Sequence, residues 1–232
     1  MDTDRTEPLT DDLADWRPVP RPAQRPLHGA RVRLEPLDPD RHGDDLFAAG
    51  HDPGGDPHLW RYLPYGPFAD AGELRAWLTA RAACTDPLFR AVVDTATGRA
   101  GGVVSFLRIE PAHGCIEIGH IWFGADLQRT PQATEAIYLL ARHAFDDLGN
   151  RRLEWKCDAA NARSRAAAER FGFSFEGVFR QNLIVKGRNR DTAWFSLLDR
   201  EWPAARAAFE AWLAPENFDA DGRQQRSLVA LR

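Results

Sequence analysis

The sequence is poor in cysteine and has no long apolar run. Its three cysteines, Cys84, Cys115 and Cys157, show no C-x-x-C spacing, which argues against a disulfide framework and against a cysteine zinc site. No stretch approaches the roughly 18 consecutive apolar residues of a membrane-spanning helix. The first residues are acidic and carry no apolar segment of the kind found in signal peptides. We therefore expect a cytoplasmic protein without a membrane partner.

Positive charge is not in surplus either. The 232 residues include 30 Lys+Arg, of which only Lys156 and Lys186 are lysines, and 34 Asp+Glu, so that the formal net charge is −4. Proteins that bind nucleic acid usually show a net or clustered positive charge, and no basic run supplies one here, so nucleic acid is not an expected partner. The seven histidines are too scattered to form a metal site, and the usual phosphate-loop, dinucleotide, zinc-protease and serine-hydrolase motifs are missing. We expect no metal.

The chain length fits one large domain with short additions. With 44% hydrophobic and 28% charged residues, the composition is that of a globular protein with a sizeable core. Residues 1–28 carry five prolines among charges and predict an extended arm, which Trp16 could anchor. We assign 29–200 to the main domain and 201–232 to a C-terminal helix and tail.

The order of predicted elements indicates a mixed α+β fold. A strand at 30–37 is followed by helices at 40–49 and after the capping residue Asp70, and then by strands at 88–94, 100–110 and 115–123. A long amphipathic helix at 131–148, a strand at 151–159, a helix at 161–172, strands at 173–185 and 190–199 and a helix from Trp202 complete the chain. Because strands and helices do not alternate regularly, a purely parallel α/β sheet is not expected. The apolar stripe from Trp202 to Leu213 predicts packing against the domain or against a second subunit, as in a homodimer.

One junction combines a strand, a turn and a helix start. The strand at 115–123 leads through a short turn to Thr130, a good helix cap, and to Pro131 in the first helical position. Free amides at a helix N-terminus form an anion site. We expect such amides at five positions, Arg129, Thr130, Gln132, Ala133 and Thr134. Gly119, in the middle of the strand, predicts a bulge or the close approach of another backbone or of a ligand.

The residues around this junction resemble those of the GCN5-related N-acetyltransferase (GNAT) superfamily, and most closely its branch similar to the RimJ/RimL protein acetyltransferases. The similarity covers about residues 30–200 and is strongest in E-x-G-x-x-W at 117–122, A-T-E-A at 133–136, the run D-A-A-N-A-R-S-R from 158 and F-E-G-V-F-R at 175–180. The resemblance implies a mixed, mostly antiparallel, twisted sheet of about seven strands flanked by helices. It also implies a parallel pair of strands, 115–123 and 151–158, that splay apart at a cofactor cleft.

The resemblance further implies acetyl-CoA as the cosubstrate. Its pyrophosphate would lie on the turn that opens the long helix, and its pantetheine arm would lie between the splayed strands. The residues implied in binding it are Gln128, Arg129, Thr130, Gln132, Ala133, Thr134, Ile121, Trp122, Asn161 and Ser164. Pro131 departs from the family pattern, because it stands where a glycine is expected and it removes one amide donor.

The implied reaction is the direct attack of an amine on the acetyl thioester, which requires a base near the amine and an acid near the sulfur. Glu117 and His120, on the strand beside the cleft, are our candidates for the base; Glu117 could instead pair with an arginine on a neighbouring strand, and His120 could be a core histidine. Asp158 and Asp191 are weaker candidates. Ser164 is our candidate for the acid, with helix capping as its alternative role.

The amine acceptor is only broadly constrained. Aromatic and basic side chains in the loop before Asp70 and in the strands could line its pocket, and those we select are Arg61, Tyr62, Tyr65, Trp155 and Trp194. The expected function is acetyl-CoA-dependent transfer of an acetyl group to a primary amine, on a protein N-terminus or on a small molecule. The alternative is a catalytically inactive module of the same fold that serves in binding or regulation.

Overall fold

The computed structural model describes residues 12–232. In this part of the chain, eight strands form one sheet in the order β1-β2-β3-β4-β5-β6-β8-β7, in which every neighbouring pair is antiparallel except β5 and β6. The elements are β1 (Leu27–His28), β2 (Val32–Pro36), α1 (Pro39–Gly50), α2 (Ala71–Ala82), β3 (Leu88–Asp94), β4 (Ala100–Glu110), β5 (Cys115–Phe123), α3 (Pro131–Arg142), β6 (Arg152–Asp158), α4 (Ala162–Arg170), β7 (Ser174–Val185), β8 (Arg188–Leu198) and α5 (Trp202–Leu213). The predicted fold class is therefore confirmed, with one strand more than the seven expected.

The additional strand, β1, belongs to the segment that the sequence predicts to be an extended arm. Its two residues pair with β2, and the preceding residues lie along the domain. Trp16 anchors them as predicted: its indole Nε1 donates to the carbonyl of Ala112 over 2.8 Å. The guanidinium of Arg90, fully buried in β3, donates to the carbonyls of Ala23 and Arg25. Burial, together with the nearby charge of Arg25, lowers the pKa of Arg90 to about 10. Residues 1–11 of the predicted arm lie outside the described residues.

Alternation along the strands divides the apolar residues between two faces of the sheet. On β3, for example, Phe89 and Ala91 belong to a cluster that also contains Leu46 of α1 and Leu74 of α2. Leu88, on the opposite face, belongs to a larger cluster formed with α3 and α5. Because successive strand residues point to opposite faces, one sheet can bury both clusters. None of the helices described within residues 12–232 is both long and apolar enough to cross a membrane.

Two features of α3 fix where its first turn lies. Thr130 caps the helix, and Pro131 occupies the first turn, as predicted. Glu135, which is 5% exposed, accepts hydrogen bonds from the amides of Ala30, Arg31 and Val32 and so holds the helix against the β1–β2 turn. The predicted helix at 131–148 changes its winding after Arg142, where a π-helical turn, His143–Asp147, follows.

Candidate active site

A cleft opens where β5 and β6 separate. The two strands are paired only as far as Ile118 and Trp155, although β5 continues to Phe123 beside β4 and β6 continues to Asp158 beside β8. Beyond Ile118, the edges that face each other across the gap therefore lack a strand partner. A cavity of about 1000 Å³ fills the gap. It extends from the start of α3, which we call the helix end, to the α1–α2 loop and the β7–β8 hairpin, which we call the loop end.

The bulge predicted near Gly119 is present and lies at this opening. The register between β4 and β5 shifts between Gly119 and Trp122, and His120 takes a left-handed φ of 51°. The Ser105 hydroxyl donates to the Gly119 carbonyl over 3.0 Å. A Cβ at Gly119 would lie 2.8 Å from Cδ2 of Leu107, so a side chain at this position would have to displace that leucine.

The helix end combines free amides with cations. Within residues 12–232, no acceptor contacts the amides of Arg129, Thr130 or Gln132. The expectation of five free amides is wrong for Ala133 and Thr134, because the Thr130 hydroxyl accepts from the first (3.3 Å) and the Thr130 carbonyl accepts from the second (3.4 Å). The structure therefore leaves three amides and the macrodipole of α3 for an anion.

Arg170 adds a cation that sequence reasoning missed. Its Nη1 donates to the Thr134 hydroxyl over 3.2 Å, and its guanidinium lies 4.9 Å from the ring centroid of Trp212. Burial, and then the nearby charge of Arg232, lower the pKa of Arg170. In the described part of the chain, neither Arg170 nor Arg129 forms an ion pair. No local signal marks Arg170, since it reaches α3 only through the packing of α4.

The other predicted helix-end residues have local partners as well. The Gln128 side chain donates to the Phe123 carbonyl over 2.8 Å and so closes the turn after β5. Gln132 does not line the cleft; its amide group donates to Asp94 of β3 over 3.2 Å. Ile121 and Trp122, as well as Gln128, line the cleft.

Asn161 and Ser164, at the start of α4, line the cleft. Asn161 caps α4, because its Oδ1 accepts from the Ser164 amide over 3.1 Å. The Ser164 hydroxyl oxygen accepts from the indole Nε1 of Trp155 over 3.0 Å. Beside it, burial raises the pKa of the Cys157 thiol, and the hydrogen bond from Ser164 opposes this effect. The indole of Trp155 thus takes one acceptor position of the Ser164 oxygen, and the hydroxyl proton is directed toward the Cys157 sulfur.

Glu117 lines the cleft within a buried ion-pair network. Its Oε2 lies 3.0 Å from both Nε of Arg108 on β4, the type of partner predicted, and Nζ of Lys156 on β6. Lys156, with a side chain 4% exposed, also pairs with Glu154 over 2.6 Å. Burial raises the pKa of Glu117 in spite of both cations. For Glu154 the hydrogen bonds from Lys156 and Arg152 outweigh burial and lower the pKa.

His120 is held between aromatic rings at the loop end of the cleft. Its ring centroid lies 5.7 Å from that of Tyr65 and 5.0 Å from that of Phe89. Burial, followed by the charges of Arg81 and Arg190, lowers its pKa to about 4. The imidazole is therefore neutral at pH 7.

Of the five residues predicted to surround the acceptor, three line the cleft and two do not. Arg61, Tyr62 and Trp155 line the cleft, and the Tyr62 hydroxyl donates to the Ala160 carbonyl over 3.1 Å. Tyr65 and Trp194 do not line it. Tyr65 lies behind His120, and the ring of Trp194 is covered by the Lys156 ammonium at 3.7 Å.

The two weaker candidates for the base differ in position. Asp158 lines the cleft, and its carboxylate accepts from the Ala160 amide over 2.9 Å. Asp191 lies outside it and accepts from the Gln181 amide and from the Asn189 side chain. Among residues 12–232, no group of three or more His, Cys, Asp or Glu side chains could hold a metal ion.

The family sequence model described as "Acetyltransferase (GNAT) domain" matches residues 31–174. The chain belongs to the GNAT family. A GCN5-related N-acetyltransferase from Brucella melitensis has a solved structure that is 50% identical, covers 94% of this GNAT chain and 98% of its own, and superposes with a TM-score of 0.91. A GNAT-family structure from Chromobacterium violaceum is 45% identical over 85% of this chain and 98% of its own, with a TM-score of 0.78.

Curated relatives match over shorter segments. The ribosomal-protein-serine acetyltransferase of Escherichia coli is 36% identical over 80 residues, which are 34% of this GNAT chain and 44% of that protein. The Bacillus subtilis protein YdaF is 34% identical over 101 residues, 44% of this chain and 55% of its own length. These relatives are in keeping with the RimJ/RimL-like branch, and the chain spans about half the length of each.

Proposed function

We propose that this GNAT-family protein is an acetyl-CoA-dependent N-acetyltransferase that transfers an acetyl group to a primary amine. The observation that carries the proposal is the continuity of the cleft: the free edges of β5 and β6 run directly into the free amides at the start of α3. A long cosubstrate with an anionic pyrophosphate and an amide-rich arm needs such a path.

The residues present fit this cosubstrate. The amides of Arg129, Thr130 and Gln132 would receive the pyrophosphate, with the unpaired guanidinium groups of Arg129 and Arg170 beside it. The unpaired edge of β5 beyond Ile118 would hydrogen-bond the pantetheine amides. The loss of one donor at Pro131 is offset in this arrangement by the two cations.

Acetyl-CoA supplies an activated acyl group as a thioester. The amine forms a C–N bond to the acyl carbon while the C–S bond breaks, so one proton must leave the nitrogen and one must reach the sulfur. Backbone amides at the His120 bulge would stabilise the negative charge that develops on the carbonyl oxygen. The Ser164 hydroxyl, whose oxygen accepts from Trp155, would turn its proton from the Cys157 sulfur to the thiolate.

Glu117 is our choice for the general base. Burial raises its pKa, and a base with a pKa nearer to neutral pH accepts the proton of an ammonium group more readily than an ordinary carboxylate. His120, with a pKa of about 4, is a weaker base, and we assign it to the wall of the acceptor site.

Glu117→Gln tests this choice, with Glu154→Gln as the matched control. Both carboxylates pair with Lys156, but only Glu117 lines the cleft. We expect Glu117→Gln to lower kcat by about 100-fold or more with acetyl-CoA affinity nearly unchanged, and Glu154→Gln to retain most of the activity. Equal kcat values for the two variants, or a large loss of acetyl-CoA affinity in Glu117→Gln, would contradict the role.

The function as a whole is tested by calorimetric titration with acetyl-CoA and by thiol release in the presence of a panel of amines. We expect micromolar binding and amine-dependent thiol release. Binding without release for any amine would favour a binding or regulatory module of this fold. The absence of binding would overturn the proposal.

A further inference from the structure

The residues that line the cleft carry a net positive charge, whereas the whole chain carries a net negative charge. Seven cationic residues line it, whereas its only acidic lining residues within 12–232 are Asp56, Glu117 and Asp158. All three carboxylates have partners: Asp56 pairs with Arg163, Glu117 pairs with Arg108 and Lys156, and Asp158 accepts an amide. Although the chain has a net charge of −4, its cleft is thus suited to bind anions.

The unpaired cations lie at both ends of the cleft. Arg129 and Arg170 lie at the helix end, where the cosubstrate accounts for them. Arg61 and Arg190 line the loop end, and no carboxylate in the described part of the chain pairs with either. These two guanidinium groups lie on the acceptor side, and the cosubstrate does not account for them.

Strand β8, which carries Arg190, also has three buried polar atoms without a hydrogen-bond partner. Arg190 Nε, Thr192 Oγ1 and Trp194 Nε1 are buried and have no hydrogen-bond partner in the described residues. They belong to alternate residues, so they share one face of the strand. Buried polar atoms nearly always have a partner, and leaving one without costs about 1–3 kcal/mol. Arg190 and Thr192 line the cleft, so a ligand can supply that partner.

Arg190 shares the cavity with the groups proposed to react. Glu117, His120 at the bulge and Cys157 at the splayed end of β6 line the same cavity as Arg190. A group bound by Arg190 would therefore lie on the acceptor side of the acetyl position, within the length of a small molecule.

Contacts around the loop end restrict what can enter it. The Lys186 ammonium at the tip of the β7–β8 hairpin donates to the carbonyls of Trp60, Tyr65 and Gly66 in the α1–α2 loop. Tyr62 joins the same loop to the carbonyl of Ala160 before α4. The loop end is thus bridged on two sides, which favours a small acceptor over the terminus of a folded protein.

We propose that the acceptor is a small primary amine that carries a carboxylate or phosphate group, and that Arg190 and Thr192 bind this anionic group. The proposal rests on the N-acetyltransferase function proposed above. Arg190 acts as a specificity-determining residue: it orients the amine toward Glu117 by holding the anion at the other end of the molecule.

The first experiment measures kcat/KM for matched pairs of amines: tyramine and tyrosine, propylamine and β-alanine, ethanolamine and phosphoethanolamine. In the wild type we expect the anionic member of at least one pair to be preferred by about 10- to 100-fold, the ratio that one hydrogen bond to a charged group supplies. The carboxylate and phosphate pairs show which anion is bound. Equal rates within every pair, or acetylation of tetrapeptide N-termini alone, would overturn the proposal.

Arg190→Met is the test variant, and Arg188→Met is its matched control. Arg188 lies on the same strand but is exposed and does not line the cleft. We expect Arg190→Met to lose the preference for the anionic member while it keeps acetyl-CoA affinity and melting temperature, and Arg188→Met to keep the preference. Arg190→Lys, which retains the charge without the planar fork, should lie between the two. Identical preferences in the Met variants would refute the role of Arg190.

A binding measurement separates this proposal from the function on which it rests. Calorimetry with N-acetyltyrosine and N-acetyltyramine, two candidate products, requires no turnover. Tighter binding of N-acetyltyrosine to the wild type and to Arg188→Met, but not to Arg190→Met, would support the anion site even if no amine were acetylated. Equal affinities in the wild type, in a protein that does acetylate amines, would refute the anion site and leave the enzyme function intact.

Discussion

Replacing Lys156 by methionine should destabilise the protein strongly, because it removes the shared cation of two buried carboxylates. The Lys156 ammonium lies 3.0 Å from Glu117 and 2.6 Å from Glu154, and its side chain is 4% exposed. Removing one partner of a buried ion pair costs about 3–5 kcal/mol. Each carboxylate keeps one cation, Arg108 at 3.0 Å and Arg152 at 2.8 Å, so we place the loss near the lower limit, at about 3 kcal/mol. For a chain of this size that corresponds to a fall in melting temperature of roughly 6–12 °C.

The loss should depend on pH in a defined direction. Lys156 lowers the pKa of Glu117 and of Glu154, so its removal raises both values in the folded state. A carboxyl group whose folded-state pKa lies above its unfolded value binds a proton more tightly when folded, and the associated stability is lost as pH rises through the folded pKa. The variant should therefore lie closest to the wild type near pH 4, about the pKa of an unfolded glutamate, and the difference should grow toward pH 7.

Urea denaturation of wild type and Lys156→Met at a series of pH values is the assay. Glu154→Gln in the Lys156→Met background removes one of the stranded charges and should restore part of the free energy of unfolding at pH 7. A loss below about 1 kcal/mol, the size of a surface pair, or a loss that does not change with pH, would show that Lys156 does not neutralise buried carboxylates.

Three further substitutions test other parts of the structure. Pro131→Gly adds an amide donor at the start of α3, so calorimetry should show acetyl-CoA binding that is equal or tighter; weaker binding would mean that the proline preorganises the site. Trp16→Ala should lower the free energy of unfolding by about 1 kcal/mol and speed proteolysis before residue 28, whereas unchanged proteolysis would show that Trp16 does not hold the arm. Gly102→Ala places a Cβ 2.6 Å from the backbone oxygen of Trp122, which cannot move without disturbing β5, so thermal unfolding should reveal a loss of about 1–3 kcal/mol. Gly54→Ala, in an open loop with no contact closer than 3.6 Å, should cost much less, and equal losses would refute the steric argument.

Much of the fold could be predicted because local chemistry determines it. Asp70, Thr130 and Asn161 each cap the helix that follows, with a side-chain oxygen that accepts a backbone amide. The turn at Gly98, with a φ of 71°, and the alternation along β3 are equally local signals. β1 could not be predicted, since its two residues are too few to show a period and it forms only because β2 is beside it.

The candidate site is only partly predictable, because strand register and helix packing bring its residues together, and neither can be read from one segment of sequence. Glu117 and Glu154 lie side by side in the parallel pair β5–β6, and nothing in either strand alone indicates that Lys156 will lie between them. Arg170 lies at the end of α4, beyond the D-A-A-N-A-R-S-R run that begins at 158, and Arg190 lies on a strand that carries no recognisable motif. The α3 turn has fewer free amides than the sequence predicts because Thr130 accepts from two of them, from Ala133 with its hydroxyl and from Thr134 with its carbonyl.

The scarcity of lysine has a practical consequence, because both lysine amines are engaged. Lys156 is enclosed in the sheet between two carboxylates and an indole, and Lys186 is tied to three carbonyls of the α1–α2 loop. An amine-reactive ester should therefore label neither side chain rapidly while the chain stays folded. Lys186 would react once the hairpin lifts away from the loop, and Lys156 only once the strands separate. The labelling rates of the two lysines, followed by mass spectrometry, would therefore report two different opening motions of the molecule without an engineered probe.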